Sequence, residues 1–285
     1  MPGFTGKGRE LLEQEARSMN RVSGRVFERT APDPQEYLDR LAATEAARSY
    51  KSVILDALEL RPGHTALDLG CGSGADLGTL AAAVGPGGRV IGIEPDGQLA
   101  GRAREVTTGL PATGGAVDVQ RADVHALPLA DRSVDRARTD RGLQHVADPA
   151  AVLAEAHRVL RPGGRLVMGE PDWDSLAIDH PDLALSRAYT RHLTDRVVRN
   201  GVIGRQLPRL AAEVGFGVPA VVPVTSVFRD VGAADRILAL QRNTERAVTA
   251  GDLSAAAAQE WLDHLGAGPF LASVTLYVVV AEVAS

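Results

Sequence analysis

Cysteine occurs once in this chain, at Cys71, so no internal disulfide can form and a fold stapled for an oxidising compartment is excluded. Lysine occurs only at positions 7 and 51, which leaves the positive charge almost wholly to arginine, the ordinary mark of a GC-rich coding sequence. No apolar stretch reaches the roughly 18 residues that span a bilayer. Lys7, Arg9 and Glu10 interrupt the start of the chain where a signal peptide needs an apolar core, so cytoplasmic residence without membrane association is the expectation. The formal charge of -5 argues against a general nucleic-acid binder, which needs many cationic contacts to phosphate. Metal-ligand spacing is missing too: Asp172-Trp173-Asp174 offers two carboxylates, with no histidine or further acid at a useful interval, so no metal is expected. Repeats, heptads and low-complexity tracts are absent. What is present is a chain of 285 residues, 45% hydrophobic, long enough to bury a full core.

The most informative segment is Ala66-Leu67-Asp68-Leu69-Gly70-Cys71-Gly72-Ser73-Gly74, a buried strand running into a glycine-rich turn. A second apolar strand, Arg89 to Ile93, delivers Glu94 at its tip. Alternating glycines let backbone approach a ligand without Cβ atoms in the way, and an acid on the next strand can accept both hydroxyls of a ribose. Dinucleotide sites use G-x-G-x-x-G and hold a pyrophosphate on a helix N-terminus. Here the spacing is G-x-G-x-G, and Asp68 ahead of it would repel a pyrophosphate but can hold an ammonium group. S-adenosylmethionine has an ammonium group, a ribose and an adenine, and no phosphate.

On these residues the sequence resembles the class I S-adenosylmethionine-dependent methyltransferases, of the type found in ubiquinone and menaquinone biosynthesis and in bacterial small-molecule methylation. The resemblance is close over residues 60 to 170. It implies an α/β, doubly wound, Rossmann-like sheet of seven mostly parallel strands with one antiparallel strand. It also implies S-adenosylmethionine as cofactor, with Asp68, Gly70, Gly72 and Gly74 around the methionine end and Glu94 on the ribose. Ala122-Asp123-Val124, after a third strand at residues 116–120, gives Asp123 to the adenine amino group and the Val124 backbone to the ring. Pro95, Arg138 and Thr139 complete the expected cofactor set. Arg138 stands inside the fourth strand, residues 133–140, where many relatives have small or apolar residues; it needs a partner, which can be the cofactor carboxylate, an acidic substrate or a structural acid such as Asp140. Asp148-Pro149 predicts a helix N-terminus, and the helix should run to about Leu160 before Arg161-Pro162-Gly163-Gly164 leads into the fifth strand.

The flanks divide the chain further. Apolar positions from Leu38 to Leu58 recur at helical spacing, so residues 1–60 read as an N-terminal helical segment, with Met19, Tyr37 and Tyr50 either in the core or over the cofactor. Residues 61–171 form the cofactor core. Residues 172–202 read as a mostly helical insertion, and 203–285 as the completion of the sheet, interrupted by a helical insertion at about 231–266. These insertions can serve as lids, as neutral decoration or as a homodimer surface.

Methyl transfer requires the acceptor held in line with the sulfonium and shielded from water, and a base only when the acceptor is protonated. His145, just after the fourth strand, is the first choice for a base or substrate-orienting group; the bland alternative is that it braces the next helix. Glu170 and Asp172, at the end of the fifth strand, can act as a base or bind a cationic amine, or simply cap a loop. Cys71 reads as a packing residue. The Pro-Pro-Tyr and Pro-Cys motifs of enzymes acting on bases are absent, so the expected acceptor is an O, N or C atom of a small molecule, with a secondary metabolite among the options. The rival readings are a methyltransferase-like enzyme catalysing a non-methylating cyclisation or rearrangement, and a nicotinamide oxidoreductase.

Overall fold

The computed structural model describes residues 44–285 together with Glu36 and Arg40. Met19, Tyr37 and most of the expected N-terminal helical segment lie outside the described residues. Helix α1 (Glu45–Leu58) starts at Thr44, whose hydroxyl accepts from the Ala47 amide at 3.1 Å, and ends where Glu59 turns left-handed at φ 47. Its buried side chains, Ala47, Tyr50, Ile54 and Leu58, are spaced three or four apart and form one stripe.

The order then alternates: β1 (Thr65–Leu69), α2 (Leu77–Val84), β2 (Arg89–Ile93), α3 (Gly97–Thr108), β3 (Ala116–Gln120), β4 (Val134–Asp140), α4 (Pro149–Val159) and β5 (Leu160–Ile178). After it come α5 (Leu183–His192), α6 (Ile203–Glu213), β6 (Gly217–Phe228), α7 (Val231–Leu238), α8 (Leu240–Ala250), α9 (Ala255–Ala267) and β7 (Ala272–Glu282). The seven strands lie in the order β3-β2-β1-β4-β5-β7-β6. Strands β1 to β5 pair in parallel. Gly163 and Gly164 bond to Val283, whereas Asp179 bonds to the Leu271 carbonyl; the partner number falls as β5 advances, so β7 runs antiparallel to it. This is the expected doubly wound sheet.

The chain divides into two compact units. One contains the described residues from Thr44 to Asp172, Val202–Val224 and Thr275–Ser285. Its central strands, β1, β2, β4 and the first half of β5, are largely buried on both faces, as parallel strands must be when helices cover both sides. Leu67, Leu69, Ile91, Ile93, Leu153 and Met168 pack in one layer, while Ala66, Val90, Ile54, Leu77, Leu80 and Val167 pack in the other. The second unit includes Trp173–Gly201 and Thr225–Val274 and has a core of its own, in which Trp261 stacks on Tyr189 with ring centroids 5.1 Å apart.

Two details differ from the sequence reading. Asp172 to Ile178 continue β5 instead of opening the helical insertion. The hydroxyls of Ser186 and Thr190, one turn apart on α5, take over the carbonyls of Ile178 and Leu176 at 2.9 and 3.1 Å, so side chains satisfy what a neighbouring strand otherwise would. The 231–266 insertion is three helices, α7 to α9, with Asp230 and Ser254 as N-caps of the first and third. Strand β6 closes one edge of the sheet and carries Pro219 and Pro223. No helix among the described residues is long and apolar enough to cross a membrane.

Candidate cofactor site

The glycine turn begins where β1 stops. Gly70 and Cys71 both donate to the Ile93 carbonyl, at 2.8 and 3.0 Å, which ties the turn to the end of β2. Gly70, Gly72 and Gly74 all have positive φ, at 75, 55 and 83. Their reasons differ. A Cβ at Gly70 would meet nothing within 4 Å, so that glycine faces open space; a Cβ at Gly74 would lie 3.0 Å from Ala103, so that glycine lets α3 pack closely. Cys71 fills the space beside Gly92, whose Cβ would come within 2.9 Å of its sulfur, and burial pushes its thiol well above the usual range. It packs, as its position in the turn suggests, and burial disfavours the thiolate that a nucleophile would need.

Beneath the turn lies a chain of buried charges. The register sets Asp68 opposite Gly92 on β2 and opposite Arg138 on β4. Asp68 is 1% exposed and Arg138 3%. The Arg138 guanidinium stands 3.1 Å from Asp68 through Nε and 2.6 Å from Asp76 through Nη2. Lys51 of α1 reaches the same Asp76 oxygen at 2.6 Å and Asp140 at 3.8 Å. Arg138 thus partners Asp68 and Asp76; Asp140, the example of a structural acid offered for it, lies within ion-pair distance of Lys51. Burial raises the Asp68 carboxyl above its ordinary value, with Arg138 opposing that rise. Asp76, also pushed up by burial, is nevertheless held below the usual carboxylate range by Arg138 and Lys51.

Three buried groups in this chain of charges are left incomplete, Asp140 through its Oδ1 and the facing pair Asp68 and Arg138. Neither Asp68 oxygen receives a hydrogen bond of good geometry, and Arg138 Nη1 donates none. An amino acid carries the complementary pair, an ammonium to donate and a carboxylate to accept. The residues present therefore fit the methionine end of S-adenosylmethionine.

Glu94 closes β2 and is buried. Its two oxygens accept from the amides of Gly72 and Asp96, each at 2.9 Å, so the acid at the tip of β2 also fixes the glycine turn. Burial raises its carboxyl and those two amides oppose the rise. Pro95 follows it, exposed, and Val124 is buried against the Leu69 and Ile93 cluster. Asp123 is exposed and accepts from both the amide and Nδ1 of His125, at 2.9 and 2.7 Å, which holds its carboxyl below the usual range. His125 Nε2 accepts from the Asp148 amide at 3.3 Å, so the proton belongs on Nδ1 and the ring joins the loop after β3 to the start of α4.

The turn after β4 is templated by β5. Thr139 is buried against Gly142, and Arg141 takes a left-handed φ of 58 while its amide donates to the Gly169 carbonyl at 2.8 Å. Glu170, fully buried, accepts from the Leu143 amide at 2.7 Å and the Gln144 amide at 3.3 Å. Burial pushes the Glu170 carboxyl up to about 8 against those two amides. His145 stands exposed at the end of this turn, its amide bonded to the Gly142 carbonyl; desolvation of the ring and the Arg141 cation lower its pKa. Asp172 pairs with Arg205 of α6. Glu170 and Asp172 therefore serve different partners and do not form one paired acid. Three participants were not singled out from the sequence: Lys51, Asp76 and His125. Asp76 sits at the N-cap of α2 but makes no capping bond, and Lys51 is one of two lysines; only these hints were available. No group of three or more histidine, cysteine, aspartate or glutamate side chains among the described residues is arranged to hold a metal ion.

Comparison with known proteins agrees with this geometry. Residues 67–168 match the family described as "Methyltransferase domain". An "Uncharacterized 37.1 kDa protein in transposon TN4556" of Streptomyces fradiae is 69% identical over 279 residues, covering 98% of this chain and 80% of that protein. The 2-phytyl-1,4-naphtoquinone methyltransferase of Synechococcus elongatus is 33% identical over 177 residues, covering 61% of this chain and 70% of the enzyme. Among solved structures, the fold matches geranyl diphosphate C-methyltransferase from Streptomyces coelicolor with a TM-score of 0.54 at 16% identity, over 95% of this chain and 97% of that one. It also matches the [4+2]-cyclase SpnF with a TM-score of 0.55 at 18% identity, over 98% and 94%. The incomplete zwitterion pair, the glycine turn and the relatives together place this chain in the class I S-adenosylmethionine-dependent methyltransferases.

Proposed function

We propose that this enzyme transfers a methyl group to a small organic acceptor, with Asp68 and Arg138 holding the amino-acid end of the cofactor, Glu94 the ribose, and Asp123 with Val124 the adenine. Bound S-adenosylmethionine supplies an electrophilic methyl carbon on a cationic sulfur. The chain's own residues do the rest. Asp68 and Arg138 fix one end through charge-assisted bonds in a dry site, where such bonds are strongest. Glu94 fixes the other, and Gly70, Gly72 and Pro95 leave backbone open to the bound molecule. Thr139 supports the turn after β4 from below. His145 accepts a proton from an acceptor hydroxyl, and the partial desolvation of its ring and the Arg141 cation favour the neutral form that this needs. Glu170 acts through that turn as a positioning residue, because both its oxygens are committed to the Leu143 and Gln144 amides. Asp172 orients Arg205, whose half-exposed guanidinium suits an acceptor with negative charge.

The observation that carries the reading is the buried, incompletely bonded Asp68–Arg138 pair beside the glycine turn. Isothermal titration tests it: S-adenosylhomocysteine should bind, and 5′-methylthioadenosine, which lacks the amino acid, should bind at least tenfold more weakly. Equal binding of the two removes the assignment. Quinone methyltransferases among the relatives support a small cyclic acceptor. The likeness to a cyclase concerns the fold alone, and the two activities separate in one assay: incubation with candidate acceptors releases S-adenosylhomocysteine if the methyl group moves and none if it does not.

A further inference from the structure

The unit that includes Trp173–Gly201 contains a cleft of roughly 560 Å³ between the last residues of β5 and the helix α5. The side chains that line it fall into two stripes of α5 and the turn beyond it. Ser186, Thr190 and Thr194 form the inner stripe, and all three hydroxyls are spent on backbone carbonyls, those of Ile178, Leu176 and Thr190. Ser186 and Thr190 close the strand edge, Thr194 bonds back within its own helical segment, and none of the three keeps a donor for a ligand. The outer stripe repeats every four residues: Leu183, Arg187, Arg191 and Asp195. Leu183 is 61% exposed, and with Leu176 and Ile178 at the floor it gives the cleft an apolar end. Arg187 and Arg191 form no ion pair or hydrogen bond with any described residue, although two acids, Asp174 and Asp195, lie on the same rim.

Guanidinium groups one helical turn apart have Cβ atoms about 5–6 Å apart and can close on one anion from two sides. A leucine beside an unpaired arginine pair suits a molecule with both characters. We propose that this cleft binds a small amphipathic anion, an apolar body ending in a phosphate or carboxylate, with Arg187 and Arg191 on the anionic group and Leu176, Ile178 and Leu183 on the body. The site belongs to the helical unit and does not depend on the assignment of the cofactor residues.

Titration calorimetry on the full chain, saturated with S-adenosylhomocysteine so that the cofactor site is filled, tests the proposal with three probes sharing one apolar body: hexyl phosphate, hexanoate and hexanol. Hexyl phosphate should bind saturably, hexanoate more weakly because it carries less charge, and hexanol not measurably. The Arg187→Ala/Arg191→Ala double variant should lose at least tenfold for hexyl phosphate. Arg199→Ala, on an exposed arginine outside the cleft, should change nothing. Asp195→Asn should tighten binding by removing a competing charge, and Leu183→Ser should weaken hexyl phosphate severalfold. Hexanol binding as well as hexyl phosphate, or full affinity in the double variant, overturns the proposal. So does the absence of saturable binding to the native chain.

Discussion

At the residue scale the buried charge chain is the most exposed to test. Arg138→Met removes the counter-charge of Asp68 and one of the two cations on Asp76, which keeps Lys51. Leaving buried acids uncompensated costs about 3–5 kcal/mol, so urea denaturation should register a loss of that order, and affinity for S-adenosylhomocysteine should fall at least tenfold. Adding Asp68→Asn to the variant should recover part of the stability without the affinity, because it removes one stranded charge and one cofactor contact together. Glu170 makes a different prediction, in pH. Its carboxyl rises from an ordinary value near 4.5 to about 8 in the folded chain. Between those values the folded state binds the proton more tightly than the unfolded state, so its contribution is greatest below about pH 4.5 and is lost as pH rises toward 8. Thermal melting across that range should decline with a component that Glu170→Gln abolishes; an unchanged profile in the variant would refute it. Residue type and spacing made Asp68, the three glycines and Glu94 legible in the sequence. Arg138 was visible as an oddity within a strand, but its partners were not, because they depend on strand register and on Asp76 and Lys51, 25 residues apart from each other and brought together only by packing.

At the element scale local rules and tertiary structure agree for most of the chain. Asp148 caps α4 through the Ala151 amide at 3.1 Å, with Pro149 at the first helical position, as the dipeptide predicts. Asp148→Ala should cost about 1 kcal/mol by chemical denaturation. Gly74→Ala should cost more than a cap, because it forces a side chain into φ 83 and against Ala103; reduced expression or a lowered melting temperature reads this out. The extension of β5 through Asp172 to Ile178 was hidden from sequence reasoning. Asp172, Asp174 and Ser175 give the segment a loop-like composition, and strand geometry there rests on Ser186 and Thr190 satisfying carbonyls from a helix further along the chain. The insertion at 231–266 was legible as helical and not as three helices: Ala239, at φ 53, makes the first break without a glycine or proline to announce it, whereas Gly251 and the Ser254 cap mark the second.

At the scale of the whole molecule, the two units have separate cores, and the proposed cofactor contacts fall in one of them. S-adenosylhomocysteine at a hundred times its dissociation constant should add about 2.7 kcal/mol to the stability of what it binds. Hydrogen exchange should therefore slow in peptides spanning residues 66–74 and 90–96 on addition of the ligand; unchanged exchange there would contradict the assignment. The sheet also ends in a way that bears on handling and on life at high concentration. Its last strand, β6, is twelve residues long, largely exposed and rich in valine, with Val221, Val222 and Val227 facing solvent and no lysine to guard it. Such an edge invites another chain to add a strand. Pro219 and Pro223 stand four apart, so their missing amide donors fall on the same side of the strand, and a proline is tolerated where that side lacks a partner. Two imino acids thus leave gaps in the row of donors that a growing fibril would need, a device that works without any charge on the strand.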